Sequence, residues 1–228
     1  MPLRSRSPAV RRPSDQSVRQ SYDPLLFLLQ FVRHPLRVGA ILPSSARLAK
    51  CMLDGIERRP GMRVAELGAG TGSFTAAIAT WLPEDGAGLA LEIDPVFVDR
   101  LIGRWPRIEC VCERAEHLAD VARTGGWGPF DHIVSGLPFA SLPFDTTRRI
   151  LYAVRRCLRD GGTFTTFQYV HGWRFPLAMR FRREAVRQLG SDQTSKLVLG
   201  NVPSAVVLRW RKPLATPAIG RDDIERFH

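Results

Sequence analysis

The chain has 228 residues and a mass of 25.6 kDa, and 44% of its residues are hydrophobic while 24% are charged. This length and composition suit one globular domain with a short appendage, and they exclude a disordered chain, a coiled coil and a small disulfide-stapled protein. The longest apolar run near the N-terminus, Leu25 to Leu29, is far shorter than the ~20 residues that span a bilayer. We therefore do not expect an integral membrane protein, and residues 1–20 lack the apolar core of a secretory signal.

The formal net charge of +11 reflects an excess of basic residues over acidic ones. A chain of this charge is attracted to polyanions, which include nucleic acids and anionic lipid surfaces, and charge alone does not distinguish between them. The four cysteines have no spacing, with one another or with histidine, that is typical of a zinc site. We predict free thiols in a reducing cytosol and no bound metal.

The N-terminal part of the chain is predicted to consist of a disordered basic arm, residues 1–21, and a helical segment, residues 22–60. Residues 22–33 form a short apolar stretch with arginines at its edges. Such a stretch is typical of a helix that lies in the membrane interface and equally of a helix that packs on the core, and the sequence leaves both interpretations open.

Alternating strands and helices are predicted from residue 62 onward, after an amphipathic helix that is capped by Ser44 and Ser45 and ends at Pro60-Gly61. The predicted strands are residues 62–67, 87–93, 107–112, 130–135 and 162–169, followed by 196–201 and 205–211. The predicted helices are residues 73–81, 95–104, 116–123, 144–158 and an Arg-rich stretch within 173–189. This alternation predicts an α/β domain over residues 61–213, with a mostly parallel sheet covered by helices on both faces, and a tail over residues 214–228.

The strongest motif is the run Val64-Ala65-Glu66-Leu67-Gly68-Ala69-Gly70-Thr71-Gly72-Ser73, in which a strand enters a glycine-rich turn and then a helix. Gly68 and Gly70 let a ligand approach the backbone without a Cβ in the way, and the helix presents unpaired N–H groups. A turn of this kind could by itself also bind a dinucleotide. Glu92 ends the next strand, at the offset where a carboxylate accepts ribose hydroxyls, so the pair of features indicates a ligand that contains a nucleoside.

The spacing E-x-G-x-G-x-G resembles the first motif of the class I S-adenosylmethionine-dependent methyltransferases. The resemblance implies a Rossmann-like fold with a seven-stranded sheet and a C-terminal hairpin, and S-adenosylmethionine as the cofactor. It implies that Glu66 lies near the cofactor's amino group. The implied cofactor-binding residues are Ser45, Glu66, Gly68, Ala69, Gly70, Gly72, Glu92, Ile93, Ala115 and Glu116. Arg114 stands where many members have an acidic residue that contacts the adenine, which leaves that contact to main-chain groups around Ala115 or to Glu116.

A second loop, Ser135-Gly136-Leu137-Pro138-Phe139, follows the fourth predicted strand, at the sheet edge where α/β proteins bind ligands. It partly resembles the N-L-P-Y loop of rRNA adenine dimethyltransferases, with Gly136 and Phe139 in place of the Asn and the Tyr. Its Ser-Gly-Leu-Pro sequence resembles the bacterial phospholipid N-methyltransferases, and residues 34–45, 167–169 and 201–205 share that resemblance. The implied substrate-side residues are Ser135, Gly136, Leu137, Pro138, Phe139 and Tyr169.

The second resemblance implies N-methylation of the amine of phosphatidylethanolamine, and of its mono- and dimethyl derivatives, at the cytoplasmic face of the cell membrane. The expected partners are an anionic membrane surface and the phospholipid. The alternatives are another lipid amine such as that of an ornithine lipid, methylation of RNA adenine, and a non-enzymatic binding module. Trp173, Arg174, Arg180, Arg182 and Arg183 are predicted to contact lipid phosphates, although a solvated helix face or an RNA backbone contact would fit the same residues.

Overall fold

The computed structural model describes residues 43–191, 193–199 and 203–214. The predicted basic arm, the apolar stretch at residues 22–33, the C-terminal tail beyond Leu214 and the turn around residue 201 lie outside the described residues. The predictions made for them therefore remain predictions.

Helices and strands alternate through most of the described chain. The helices are α1 (Pro43–Leu53), α2 (Ser73–Trp81), α3 (Pro95–Leu101), α4 (Leu118–Gly125), α5 (Phe144–Cys157) and α6 (Pro176–Leu189). The strands are β1 (Arg63–Leu67), β2 (Ala87–Glu92), β3 (Ile108–Cys112), β4 (Phe130–Ser135), β5 (Leu158–Tyr169), β6 (Gln193–Val198) and β7 (Ala205–Arg211). Short 3₁₀ turns, Ala115–His117 and Val170–Gly172, follow β3 and β5.

The strands form one seven-stranded sheet in the order β3-β2-β1-β4-β5-β7-β6. The first five strands in this order are parallel, while β7 pairs antiparallel with both β5 and β6. The predicted fold class and the C-terminal hairpin are therefore confirmed. The strand order reverses between β1 and β4, and the carboxyl ends of such strands form the crevice where open α/β sheets bind ligands.

Several predicted boundaries differ from the structure, and three of the differences have a local reason. The first helix begins at Pro43 and ends at Leu53, because Gly55 has a φ of 70° that most other residues avoid. The fifth strand begins at Leu158 rather than at residue 162, since the Asp160–Gly162 segment, which reads as a turn, exchanges backbone hydrogen bonds with Lys212. The sixth strand is Gln193–Val198, an exposed polar edge strand without the alternation that would reveal it.

Both faces of the sheet are covered by helices. One buried cluster, which includes Phe130, Phe164 and Trp210, packs against α4, α5 and α6. The other, which includes Met52, Val64 and Leu101, packs against α1, α2 and α3. A ligand therefore reaches the sheet at the edges where its strands begin and end.

Arg209 of β7 joins α1 to the sheet. Its Nε donates to Thr165 Oγ1 at 3.0 Å, while its two terminal nitrogens donate to the carbonyls of Asp54 at 2.7 Å and Met52 at 3.0 Å. These carbonyls lie at the C-terminal end of α1, where a helix lacks internal donors and favours a cation. The last part of the predicted segment 22–60 is therefore packed onto the α/β domain.

Candidate active site

A cavity opens at the carboxyl ends of β1, β2 and β4. It is lined by Gly68, Leu91, Glu92, Ile93, Glu113, Arg114, Ala115, Glu116, Leu137, Leu142, Thr146 and Ile150. Six of these residues, namely Gly68, Glu92, Ile93, Ala115, Glu116 and Leu137, are among those predicted to contact cofactor or substrate. The structure thus brings residues from four separate sequence segments to one place.

The glycine loop is held against β2 by main-chain bonds. The amides of Gly68 and Ala69 donate to the carbonyl of Leu91 at 2.8 and 3.2 Å. Gly70 has a φ of 54°, and a Cβ built there would meet no protein atom within 4 Å. Gly72 has a φ of 86° at the N-terminal end of α2. The loop therefore leaves open space beside Gly70, where a bound molecule can approach the backbone.

Glu92 is a fixed carboxylate in the wall of this cavity. It is only 1% exposed, and its Oε2 accepts from the amide of Gly70 at 2.8 Å while Oε1 accepts from the amide of Asp94 at 2.9 Å. Asp94 in turn caps α3, since its side chain accepts from the amide of Val96 at 2.9 Å. Each carboxylate oxygen has two acceptor positions, so Glu92 can also accept from the hydroxyls of a ribose.

Glu66 lies beneath the loop rather than in the cavity wall. Its Oε2 accepts from the hydroxyl of Thr75 at 2.6 Å, whereas its buried Oε1 has no hydrogen-bond partner among the described residues. Burial, with a smaller contribution from the charge of Glu92, raises the pKa of Glu66 to about 7. The orphaned oxygen is an acceptor that a ligand amino group can satisfy.

The ionisation of Glu66 should make the stability of the fold depend on pH. Its folded pKa is raised above the ordinary 4.5, so its contribution is fully present below about pH 4.5 and is lost as the pH rises through about 7. We compare the free energy of unfolding of Glu66→Gln with that of the native chain at about pH 5 and at about pH 8. The variant's free energy of unfolding, minus that of the native chain, should be about 3 kcal/mol larger at the higher pH. Urea unfolding at both pH values measures this difference, and an equal difference at both would contradict the assignment.

The part of the cavity around Arg114 differs from the pattern that the resemblance to class I methyltransferases implies. The side chain of Arg114 turns back on Glu116, whose Oε1 accepts from Arg114 Nε at 3.0 Å and lies 3.9 Å from a terminal nitrogen of Arg149. Glu116 is nearly buried, with a side chain 8% exposed. An acidic group is therefore present in the wall, but two residues after the position that the resemblance implies, and it is paired with arginines.

The Ser135–Phe139 loop lies directly against the glycine loop. The amide of Gly136 donates to the carbonyl of Leu67 at 2.9 Å, and a Cβ on Gly136 would lie 3.0 Å from the carbonyl oxygen of Gly68. Ser135 is buried, and its hydroxyl accepts from the amide of Leu137 at 3.2 Å. The close approach requires glycine at this position, and the hydroxyl of Ser135 shapes the loop.

The interpretation of Phe139 as a substrate contact is not supported by its position. Its ring is 1% exposed, stacks on Phe181 of α6 with centroids 4.4 Å apart and meets Phe164 edge-on at 6.3 Å. The carbonyl of Pro138 accepts from the amides of Ser141 and Leu142, which turns the chain into α5. Burial of the ring in the core fixes the loop from behind, and the ring does not line the cavity.

An aromatic group lies at the end of β5, and the sequence only partly predicts it. Tyr169 is half-buried, lies edge-on to Phe167 at 5.3 Å and stacks on His171 at 5.6 Å. Phe167 approaches Phe74 of α2 at 5.9 Å, and the ring of Phe74 is 3.4 Å from a Cβ built on Gly136. Burial raises the pKa of Tyr169, which keeps its phenol protonated and able to donate.

The sequence analysis missed several residues that line the cavity, and every predicted contact with the cofactor stays a prediction. Leu142, Thr146 and Ile150 line the cavity from the start of α5 and the turn before it, and Phe74 lies beside Gly136, but no motif marks any of them. Their only signal is their place just after a loop at the ligand-binding edge. Ser45 belongs to the first turn of α1, and its contact with the cofactor stays a prediction.

Comparison with known proteins identifies the chain. Residues 64–162 match a family described as methyltransferase domain. An ornithine lipid N-methyltransferase from Singulisphaera acidiphila is 32% identical over 145 residues, which are 62% of this chain and 76% of that protein. The chain belongs to the S-adenosylmethionine-dependent methyltransferases. Its cofactor is S-adenosylmethionine.

Solved structures agree with this methyltransferase fold. An O-methyltransferase from Bacillus cereus in complex with SAH is 14% identical, covers 86% of this chain and 94% of its own, and has a TM-score of 0.59. TomG, an O-methyltransferase from Streptomyces achromogenes in complex with SAM, is 19% identical, covers 84% of this chain and 91% of its own, and has a TM-score of 0.58. At these identities the likeness concerns the fold.

The cavity of the methyltransferase fits this cofactor on three counts. Gly70 leaves open space beside the loop, Glu92 places a carboxylate in the cavity wall, and Glu66 has an unsatisfied oxygen beneath the loop. These residues would hold the methionine and ribose parts, and Ile93, Ala115 and Leu137 supply apolar walls.

Within the described ranges, no cluster of His, Cys, Asp and Glu could hold a metal ion. None of the helices described is both long and apolar enough to cross a membrane.

Proposed function

We propose that the protein transfers a methyl group from S-adenosylmethionine to the amine of a membrane lipid. The observation that carries the proposal is the 32% identity to an ornithine lipid N-methyltransferase over most of that protein. An ornithine-lipid headgroup is therefore the first candidate acceptor. Phosphatidylethanolamine is the second, because the Ser-Gly-Leu-Pro loop resembles the bacterial phospholipid N-methyltransferases.

The chain's own residues would act by orientation and desolvation. Bound S-adenosylmethionine supplies a methyl group on a positively charged sulfur, which needs no further activation. Gly136 lets the Ser135–Phe139 loop pack directly against the glycine loop, which would hold an acceptor bound at this loop close to the cofactor's methyl group. The half-buried rings of Phe74, Phe167 and Tyr169 would lower the pKa of the incoming amine by desolvation, so that its lone pair is free to attack.

The same rings suit the product. When the nitrogen–carbon bond forms and the carbon–sulfur bond breaks, the nitrogen becomes positively charged and afterwards loses a proton to water. Faces of aromatic rings stabilise alkylated ammonium groups. The hydroxyl of Tyr169 can donate to a carboxylate or phosphate of the headgroup. No described residue has to serve as a dedicated base in this scheme.

A surface next to this site has the composition of a membrane contact. Val170, Phe175 and Met179 are exposed apolar residues that follow β5, and Arg174 and Arg183 are exposed near them. Apolar side chains ringed by arginine favour an anionic lipid interface. We assign the docking of the protein on the membrane to this surface, which would deliver headgroups to Tyr169.

The predicted set of lipid-contacting residues needs one change. Arg182 is half-buried, lies 4.0 Å from the ring centre of Trp173 and donates to Gln168 Oε1 at 2.6 Å. Arg180 lies 4.0 Å from the ring centre of Phe144. Arg182 therefore braces the end of β5 and is not part of the proposed membrane contact.

The membrane contact can be tested by substitution. We expect the double variant Phe175→Asp and Met179→Asp to bind phosphatidylglycerol-containing vesicles roughly tenfold more weakly or worse, because two apolar anchors are lost and two negative charges added. Affinity for S-adenosylmethionine should be unchanged. The matched control is Val96→Asp with Ile102→Asp, two equally exposed apolar residues around α3. Equal losses in both variants in a vesicle sedimentation assay would remove the assignment.

The acceptor class is tested by label transfer. Purified protein and methyl-labelled S-adenosylmethionine are given vesicles that contain ornithine lipid, vesicles that contain phosphatidylethanolamine, and total RNA, each separately and then mixed. We expect label in lipid, with the ornithine-lipid vesicles labelled faster. Label in RNA with unlabelled vesicles would overturn the proposal and favour the nucleic-acid interpretation of the positive charge.

A further inference from the structure

A second cavity lies at the opposite edge of the sheet, where the parallel strands begin. It has a volume of about 340 Å³ and is bounded by the segment after α1, the starts of β1, β4, β5 and β6, and the end of β7. The cofactor cavity lies at the carboxyl ends of the same strands, and the two share no lining residue. Nothing in the methyl transfer described above makes use of this second cavity.

The lining of this cavity is strongly basic. Four arginines, Arg59, Arg159, Arg209 and Arg211, face two carboxylates, Asp131 and Glu57, so the lining side chains carry a net charge of +2. Hydroxyl groups of Thr163 and Thr194 complete the polar part of the wall. This concentration of guanidinium groups from three parts of the chain is unusual for a space that only has to hold water.

Asp131 does not neutralise the guanidinium groups around it. Its Oδ1 accepts from Arg159 Nε at 2.6 Å and also from a terminal nitrogen of Arg59, and its Oδ2 accepts from the amide of Arg63 at 2.8 Å. One negative charge is thus shared by two positive ones. The Nε–H of Arg59 is buried and has no acceptor within the described part of the chain, which leaves a charged donor group unsatisfied.

Arg209 adds a charge that is fixed in place. The same three bonds that join it to Thr165 and to the end of α1 hold its guanidinium rigidly at the cavity wall. A rigid, partly buried guanidinium loses little conformational freedom when an anion binds.

We propose that this second cavity is a binding site for a phosphate-bearing anion, namely inorganic phosphate or a small phosphate monoester. Guanidinium groups bind phosphate oxygens through paired, charge-assisted hydrogen bonds, and four arginines line this cavity. A cavity of about 340 Å³ has room for such an anion. Because the site lies away from the cofactor, it is independent of the acceptor for the methyl group.

The site is tested by calorimetric titration of inorganic phosphate, and separately of glycerol 3-phosphate, into the full chain saturated with S-adenosylmethionine. Saturation removes the cofactor cavity from consideration, and equal concentrations of chloride serve as the anion control. We expect saturable binding of one phosphate per chain. Tighter binding of glycerol 3-phosphate would identify the headgroup of a phospholipid as the source, and equal or tighter binding of inorganic phosphate would identify the free anion.

Variants connect the binding to the cavity. Arg59→Gln and Arg211→Gln should each weaken phosphate binding roughly tenfold or more. Arg123→Gln, which removes the same charge from a highly exposed position on α4, should leave it unchanged. Unchanged affinity for S-adenosylmethionine shows that each variant is folded. Absence of saturable heat, or equal weakening in all three variants, would overturn the proposal.

Discussion

Replacing Gly70 by arginine should lower the affinity for S-adenosylmethionine on the order of 10³-fold and reduce methyl transfer to the background rate. The reason is geometric, because a side chain at this position meets no protein atom within 4 Å and would fill the open space beside the glycine loop, where we expect the cofactor. Isothermal titration calorimetry with the cofactor measures the effect directly. The fold should survive, since the substitution displaces nothing in the protein.

Gly103→Arg is the matched control for this prediction. Gly103 has a φ of 72°, and a Cβ there also meets nothing within 4 Å, but it lies in the connection between α3 and β3, away from the cavity. Both variants therefore add the same charge and the same backbone cost of about 1 kcal/mol for a left-handed residue. We expect Gly103→Arg to bind the cofactor normally, and equal losses in the two variants would show that strain or charge is responsible.

Replacing Glu92 by glutamine should lower cofactor affinity by about 10²–10³-fold. The carboxylate accepts from the amides of Gly70 and Asp94, so it holds the glycine loop and the start of α3 as well as facing the ribose. A glutamine can accept through its oxygen only, and its NH₂ group would point at a main-chain donor. Loop order and the ribose contact should be lost together.

Glu109→Gln is the comparison for Glu92. Glu109 lies on the neighbouring strand β3, and its Oε2 accepts from Trp127 Nε1 at 3.1 Å, outside the cofactor cavity. Its substitution makes the same chemical change without touching the loop. Titration of the cofactor into both variants should show a large loss for Glu92→Gln alone, and a loss of less than about tenfold there would mean that Glu92 is dispensable for binding.

The regular part of the fold could be predicted because it depends on local patterns. The helix 73–81 and the strands 130–135 and 205–211 have the predicted bounds, since each combines apolar periodicity with glycine, proline or a change of polarity at its ends. The sixth strand carried no such pattern. Its side chains are mostly exposed, so its position follows from pairing with β7 rather than from its own composition.

The glycine motif and Glu92 could be predicted from the sequence for a different reason. Their function depends on backbone conformation and on spacing along one βα unit, and both are properties of a short sequence. The adenine side could not be predicted in the same way, because Arg114 pairs with Glu116 across a tight turn and Glu116 is drawn toward Arg149 of α5. A short sequence motif does not predict which side chains from distant segments will pair.

Phe139 illustrates how tertiary packing decides between two uses of an aromatic residue. An aromatic ring after Leu-Pro at the end of a strand suits a substrate contact and a core position equally well. Phe181 of α6 approaches it from the other face of the loop, and the stacked pair buries both rings. Phe74, Phe167 and Tyr169 form a separate aromatic group between α2 and the end of β5, and only the last two belong to a recognised segment.

The position of the transferred methyl group tests the account most directly. Tandem mass spectrometry of lipids from vesicles, incubated with the protein and methyl-labelled S-adenosylmethionine, locates the label within the molecule, with Gly70→Arg as the blank. We predict label on the headgroup nitrogen and none with the variant. Label on an oxygen or an acyl chain, or no labelled lipid from a protein that binds the cofactor, would contradict the proposal of lipid N-methylation.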